Sequence, residues 1–181
     1  FQTGSDQRAY KYKHPIPTEK KIDKHVLFNV MARKWGLTLT ITRMMIFGKV
    51  SAEIRKQFND NLLVENSMIA ATRPGAVSGD IFQMTCELYD KLGYVDEWRK
   101  HHQGGSAGYE LRDYICTKET KEVVQDDQAF CWNPSISGTK TEDTFIVRGD
   151  DVEFVTKPIV FPTVEQTVGG LRFVRPGILE R

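Results

Sequence analysis

His101-His102-Gln103-Gly104-Gly105-Ser106-Ala107-Gly108, residues 101–108, is the least ordinary stretch of this chain. Two imidazoles followed by paired glycines suit a place where backbone comes close to a ligand and a titratable ring faces it. The same string also reads as a loop with two solvated histidines. Neighbouring side chains on a strand point to opposite faces, so only one of the two rings is expected at a given site. The spacing is not that of two histidines one helical turn apart, the zinc-binding pattern.

Upstream, the apolar spacing predicts two helices. Ser51 can cap the first, with Glu53 beside the positive end of its dipole. Ile54, Phe58 and Leu62 step along one face, Met68 and Ile69 prolong it, and Arg73-Pro74-Gly75 ends it, giving a helix near 51–72. Ile81, Met84, Leu88 and Leu92 give a second near 78–92, closed by Gly93. Before them, 25–30 and 37–47 read as strands joined by a Trp35-Gly36 turn, with His25 expected in solvent at a strand start. Arg43, among apolar strand residues, is either an interior ion-pair partner or an outward-facing side chain.

Downstream, 129–132, 144–147 and 152–155 read as strands, and the tail from Thr163, with Gly169-Gly170 and Arg175-Pro176-Gly177, as irregular. Glu142 and Asp143 are neighbours, so one is expected to face the core and the other solvent. A buried carboxylate there needs a cation, a metal or hydrogen-bond donors. Strands, then helices, then strands predict an α+β domain with helices on one face of an antiparallel sheet.

Composition sets the outer bounds. The 181 residues suit one domain, 1–181, and 40% hydrophobic residues with 27% charged ones exclude a disordered or fibrous chain. Twenty-five Lys and Arg against 24 Asp and Glu leave a net charge of +1, which offers no basic face to nucleic acid. No apolar run reaches the roughly 18 residues of a membrane span. Cys86, Cys116 and Cys131 form no Cys-x-x-Cys pair, so they read as reduced, buried thiols of a cytoplasmic protein. The chain opens at Phe1 with no signal-like segment, and the domain is expected to be incomplete at its N-terminus.

The order of these landmarks resembles the pita-bread fold of methionine aminopeptidase, Xaa-Pro aminopeptidase (prolidase) and creatinase, over roughly residues 1–160. The landmarks are His14, the strand ending near Asn29, Thr40-Ile41-Thr42-Arg43, Arg73-Pro74-Gly75, the 101–108 string, Asn133-Pro134 and Glu142-Asp143-Thr144. In metalloenzymes of that family two metal ions are held by two Asp, one His and two Glu. By resemblance those ligands fall on Asn29, Thr40, Gly105, Asn133 and Glu142, and only Glu142 is retained. Two divalent cations need several carboxylates to offset their charge, so the resemblance implies no metal and no cofactor here.

The resemblance also matches His14 to an active-site histidine near the scissile bond and His101 to one that contacts substrate. Creatinase, a metal-free hydrolase of this fold, implies that such a cleft can work with histidine as acid or base. The expected catalytic residues are therefore His14, His101 and Glu142, with Glu142 binding a cationic substrate group or orienting His101. Arg43, His102 and Trp132 are expected to bind substrate. The implied function is metal-independent hydrolysis of an amide or amidine-type bond in a short peptide or small molecule. The rival is a catalytically inactive pita-bread domain that binds peptide or protein, as in histone-chaperone relatives; Trp132 or Phe130 filling the cleft would favour it. Elements that complete such domains are missing here, and an uncovered sheet edge favours association, so a homodimer or a piece of a longer chain is expected. The charge balance and the lack of an apolar span leave neither nucleic acid nor membrane as an expected partner.

Overall fold

The computed structural model describes residues 2–181. A short strand β1 (Gln2–Ser5) and one helical turn α1 (Gln7–Lys11) lead to the hairpin β2 (His25–Lys34) and β3 (Leu37–Ile46). Trp35 and Gly36, at φ 54° and 86°, make the turn with two left-handed residues, whose twist matches that of the flanking strands. Helices α2 (Ala52–Ala71) and α3 (Ser78–Lys91) follow where the apolar spacing predicts them. The Ser51 hydroxyl accepts the Ile54 N–H at 3.2 Å and starts α2.

Strands β4 (Gly104–Ser106), β5 (Tyr114–Ile115) and β6 (Ala129–Trp132) come next. They are followed by the small hairpin β7 (Ser135–Ile136) and β8 (Thr139–Lys140), then β9 (Asp143–Arg148) and β10 (Asp151–Phe154). The tail is not irregular. It forms a hairpin, β11 (Thr163–Val168) and β12 (Leu171–Pro176), and a last strand β13 (Leu179–Glu180) parallel to β3. Gly169-Gly170 is its two-residue turn rather than a sign of disorder, with both residues at positive φ.

The strands fall into two principal sheets, ordered β1-β2-β3-β13 and β10-β9-β6-β4-β5. They meet where the Thr42 N–H donates to the Glu142 carbonyl at 3.0 Å. Both helices lie on one side of this layer. Phe130, Trp132, Phe145 and Val147 alternate toward that side and pack with Val64, Met68, Ile69, Ile81 and Tyr89 from the helices. Leu27, Met44 and Ile46 pack there against Phe58 and Leu62. The opposite-parity residues Cys131 and Thr144 turn the other way, toward Thr40. This is the α+β pita-bread arrangement; the cleft lies on the side of β6 and β9 away from the helices, while on the hairpin it shares a face with Leu27 and Met44, further along the strands.

Three expectations fail for reasons of packing. Trp132 does not bind substrate: it is fully buried among the helices, and its indole N–H donates to the Thr72 hydroxyl at 2.9 Å. Phe130 is buried beside it, so neither ring fills the cleft. His25 is not solvated but buried, its ring edge-on to Tyr10 at 5.6 Å. Glu142 and Asp143 do not divide between core and solvent; both are buried, because each has its own cations.

For Asp143 those cations are Arg43 and Arg175. Arg43 donates to Asp143 Oδ1 at 2.7 Å, and Arg175 donates to Asp143 Oδ2 at 3.0 Å and to Glu65 Oε1 at 2.7 Å. Arg43 is thus the interior ion-pair partner, and its side chain lies on the face of β3 away from the cleft. It does not bind substrate there.

Candidate active site

The hairpin register determines which of its side chains reach the cleft. Asn29 pairs across with Thr42, and Met31 with Thr40, so Asn29, Met31, Thr40 and Thr42 share one face. Facing them, Glu142 projects from the junction of the two sheets. Between them is an open cleft of about 430 Å³ whose walls include His14, Asn29, Thr40, His102, Arg112, Asn133, Lys140 and Glu142.

Glu142 is the electrostatic hub. Arg112 donates to its Oε1 at 2.9 Å, while Asn29 and Thr42 donate to Oε2 at 2.7 and 2.6 Å. The Lys140 ammonium lies 3.4 Å from Oε2. Burial alone would raise this carboxyl's pKa, but Lys140 and then Arg112 outweigh it and hold the group well below the usual carboxylate range. Two sequence expectations for Glu142 fail here. Its charge is already offset by two cations, which leaves nothing for a cationic substrate group, and it makes no hydrogen bond to His101.

The histidines gather instead with one another. His14 and His101 approach through their Nε2 atoms at 3.0 Å, and the His101 and His102 rings stack at 4.4 Å between centroids. The expectation that His102 points away from His101 fails because the two rings leave the end of an irregular segment, just before β4, where strand alternation does not yet apply. His101 is buried, His102 half-buried and His14 exposed. Burial and then Lys140 push His101 down to about 2; burial, Arg112 and Lys140 push His102 down to about 4. His14 is lowered by burial first and by Lys140 second. All three rings are therefore neutral near pH 7.

The five positions that match the family's metal ligands do not fit two metal ions. Asn29 turns its amide N–H₂, not an oxygen, to Glu142. At Gly105 even a Cβ would collide with the Tyr114 carbonyl oxygen, so no side chain of any kind could be seated there. Both Glu142 oxygens are taken by donors. His14, His101 and His102, with ligating atoms within 4.8 Å of one another, form the grouping among the described residues with a metal's ligand chemistry. A divalent cation there would add charge beside Lys140 and Arg112, which already disfavour the imidazolium.

Sequence reasoning missed Lys140 and Arg112. Lys140 had a usable signal: in Gly138-Thr139-Lys140-Thr141-Glu142 it stands two residues before Glu142, hence on the same face of an extended segment. Arg112 has none, since it enters from the loop between β4 and β5.

Comparison with known proteins agrees with this architecture. Residues 3–157 match the sequence profile described as metallopeptidase family M24. An uncharacterized peptidase of Staphylococcus aureus is 26% identical over 151 residues, which are 79% of this chain and 43% of the relative. Another from Staphylococcus saprophyticus is 25% identical over 157 residues, 83% of this chain and 45% of the relative. The chain thus spans less than half the length of these curated relatives. Among solved structures, the prolidase from Pyrococcus furiosus superposes with a TM-score of 0.77 at 19% identity, over 87% of this chain and 49% of its own. A dipeptidase from Mycobacterium ulcerans gives 0.78 at 14% identity, over 99% and 47%. Identities this low establish the fold alone. With the profile running from β1 past β10, the chain belongs to metallopeptidase family M24.

Proposed function

We propose that this domain hydrolyses an amide or amidine-type bond in a short peptide or small molecule without the dinuclear metal centre of its family. The observation that carries the reading is the His14–His101 contact at the wall of a cleft where Arg112 and Lys140 supply the positive charge. With His14 Nε2–H donating to His101 Nε2, the other His14 nitrogen takes the proton of an attacking water and returns it to the nitrogen that leaves as the C–N bond breaks. His101 then accepts from the imidazolium, and the Glu142 charge favours it, being the one influence that raises the His14 pKa. Arg112, fixed by Glu142, supplies positive potential for the developing oxyanion.

The free, buried Cys86, Cys116 and Cys131 support a reducing, cytoplasmic location. Among the described residues no helix is long and apolar enough to cross a membrane. Exposed Trp35, Leu37, Tyr109 and Leu111 near the hairpin tip support a second copy, or the remainder of a longer chain, covering that edge.

The test is a panel of dipeptides, Xaa-Pro peptides and amidines, assayed across pH. Because burial and Lys140 depress His14, its base form is reached at lower pH than in a free imidazole. The rate kcat/KM should rise from acid pH with an inflection below the ordinary histidine value of about 6.5 and stay level from about pH 7 to 8. No acidic limb, or an inflection above 7, would remove His14 as the base. No turnover across the panel would favour a binding domain instead.

A further inference from the structure

The segment between β1 and β2 is a closed loop. The Asp6 carboxylate accepts the backbone N–H groups of Asp23, Lys24 and His25 at 3.1, 2.8 and 3.0 Å, and the Asp6 N–H donates to the His25 carbonyl at 2.8 Å. Asp6 thereby ties together the two ends of residues 7–22. The loop carries α1 and, beyond it, brings His14 to the cleft wall. Its hold there is slight: the His14 ring bonds only to His101, and the Lys13 ammonium lies 3.8 Å from Glu97.

His25 stands at the base of this loop, 4% exposed, with neither ring nitrogen hydrogen-bonded among the described residues. Tyr10 of α1 covers the ring edge-on, and Tyr10 in turn fills the space that a Cβ on Gly138 would take. A neutral imidazole already leaves one N–H unpaired there; an imidazolium would leave two and bury a charge. Asp6 is the counter-charge at hand. Burial raises its carboxyl, but the N–H groups of His25, Lys24 and Asp23, and then Lys20, outweigh burial and hold it at about 2. It stays ionised throughout the histidine range, and both its oxygens are already taken. Glu53 of α2 acts on Tyr10 rather than on the ring, and Ile46 on β3 and Gly138 bring no charge. Burial therefore lowers the His25 pKa further than Asp6 raises it.

The least disruptive relief for a proton on His25 is to lift Tyr10 and admit water. The helix α1 is a single turn and Tyr10 is 42% exposed, so neither the β2–β3 hairpin nor the long helices need open. We propose that the 7–22 loop is an acid-released arm: a proton taken up by His25 undocks α1 and draws His14 out of the cleft. That release silences hydrolysis rests on the hydrolytic reading; the movement itself does not. The sign follows from burial of the neutral ring. Docking is strongest above about pH 6.5, the ordinary histidine value, and weakens as pH falls below it.

The test is hydrogen exchange of the full chain at about pH 7.5 and about pH 5, corrected for the intrinsic rate. Protection of the Ala9 and Tyr12 amides, which bond to the Asp6 and Arg8 carbonyls, should fall at least about fivefold at the lower pH, while β6 and β9 stay within about twofold. His25→Phe, which keeps an aromatic ring and takes no proton, should abolish the fall; His14→Ala should not. If His25→Phe does not fold, ring NMR of the parent serves: loop exposure must follow the titration of His25, not those of His14, His101 or His102. Equal protection at the two pH values, a fall that persists in His25→Phe or vanishes in His14→Ala, or one shared by β6 and β9 would each overturn the proposal. An acid-released loop without turnover of any amide or amidine would sink the hydrolytic reading and leave the arm standing. Turnover with steady protection would do the reverse.

Discussion

Replacing His14 with Ala should lower kcat/KM on the best substrate by about 10²- to 10⁴-fold, the usual contribution of a positioned acid–base group. Stability should change by less than about 1 kcal/mol. His14 is exposed, sits in an irregular segment before Pro15, and makes its side-chain hydrogen bond only to His101. Water can enter the space it vacates and satisfy His101 Nε2. Steady-state kinetics beside a urea melt separates the two effects. An unchanged rate would take His14 out of the mechanism; a rate lost together with the fold would show it to be structural.

A second large effect is expected behind the cleft wall, on the other side of the strand that carries Glu142. Arg175 is 1% exposed and holds two buried carboxylates, Glu65 at 2.7 Å and Asp143 at 3.0 Å. Arg175→Met removes one guanidinium and leaves Arg43 alone against both acids. Breaking a buried pair in this way costs about 3–5 kcal/mol, a large part of a domain's stability. Adding Glu65→Gln should recover part of that loss, because the second neutralisation removes the stranded charge. Denaturant midpoints of the two variants check it, and an Arg175→Met domain as stable as the parent would refute the account of this network.

The elements were legible where a periodic pattern meets a clear stop. Ser51 and Arg73-Pro74-Gly75 bracket α2, and Trp35-Gly36 divides one apolar stretch into β2 and β3. The tail hairpin was not, since two adjacent glycines signal a tight turn and an unstructured link equally well. For the site, resemblance located His14, His101 and Glu142, and the cleft brings two of them to its wall while His101 sits behind His14. It did not anticipate what surrounds Glu142. A string of sequence shows that Glu142 is acidic, but not that Arg112, thirty residues earlier, comes to 2.9 Å and neutralises it. Trp132 and Arg43 were misassigned because conspicuous residue types near a site were taken for members of it. Their strand parity sends both side chains to other faces, one into the helix-side core and one into the ion-pair network.

The account turns on the claim that fixed protein cations, not metal ions, provide the positive charge in this cleft. Elemental analysis of the full-length protein, expressed with added manganese, cobalt and zinc and assayed before and after chelation, tests it most directly. The account predicts far less than one metal per chain, and hydrolysis that survives chelation within about twofold. Two metals per chain, lost to the chelator together with activity and restored on adding them back, would contradict it.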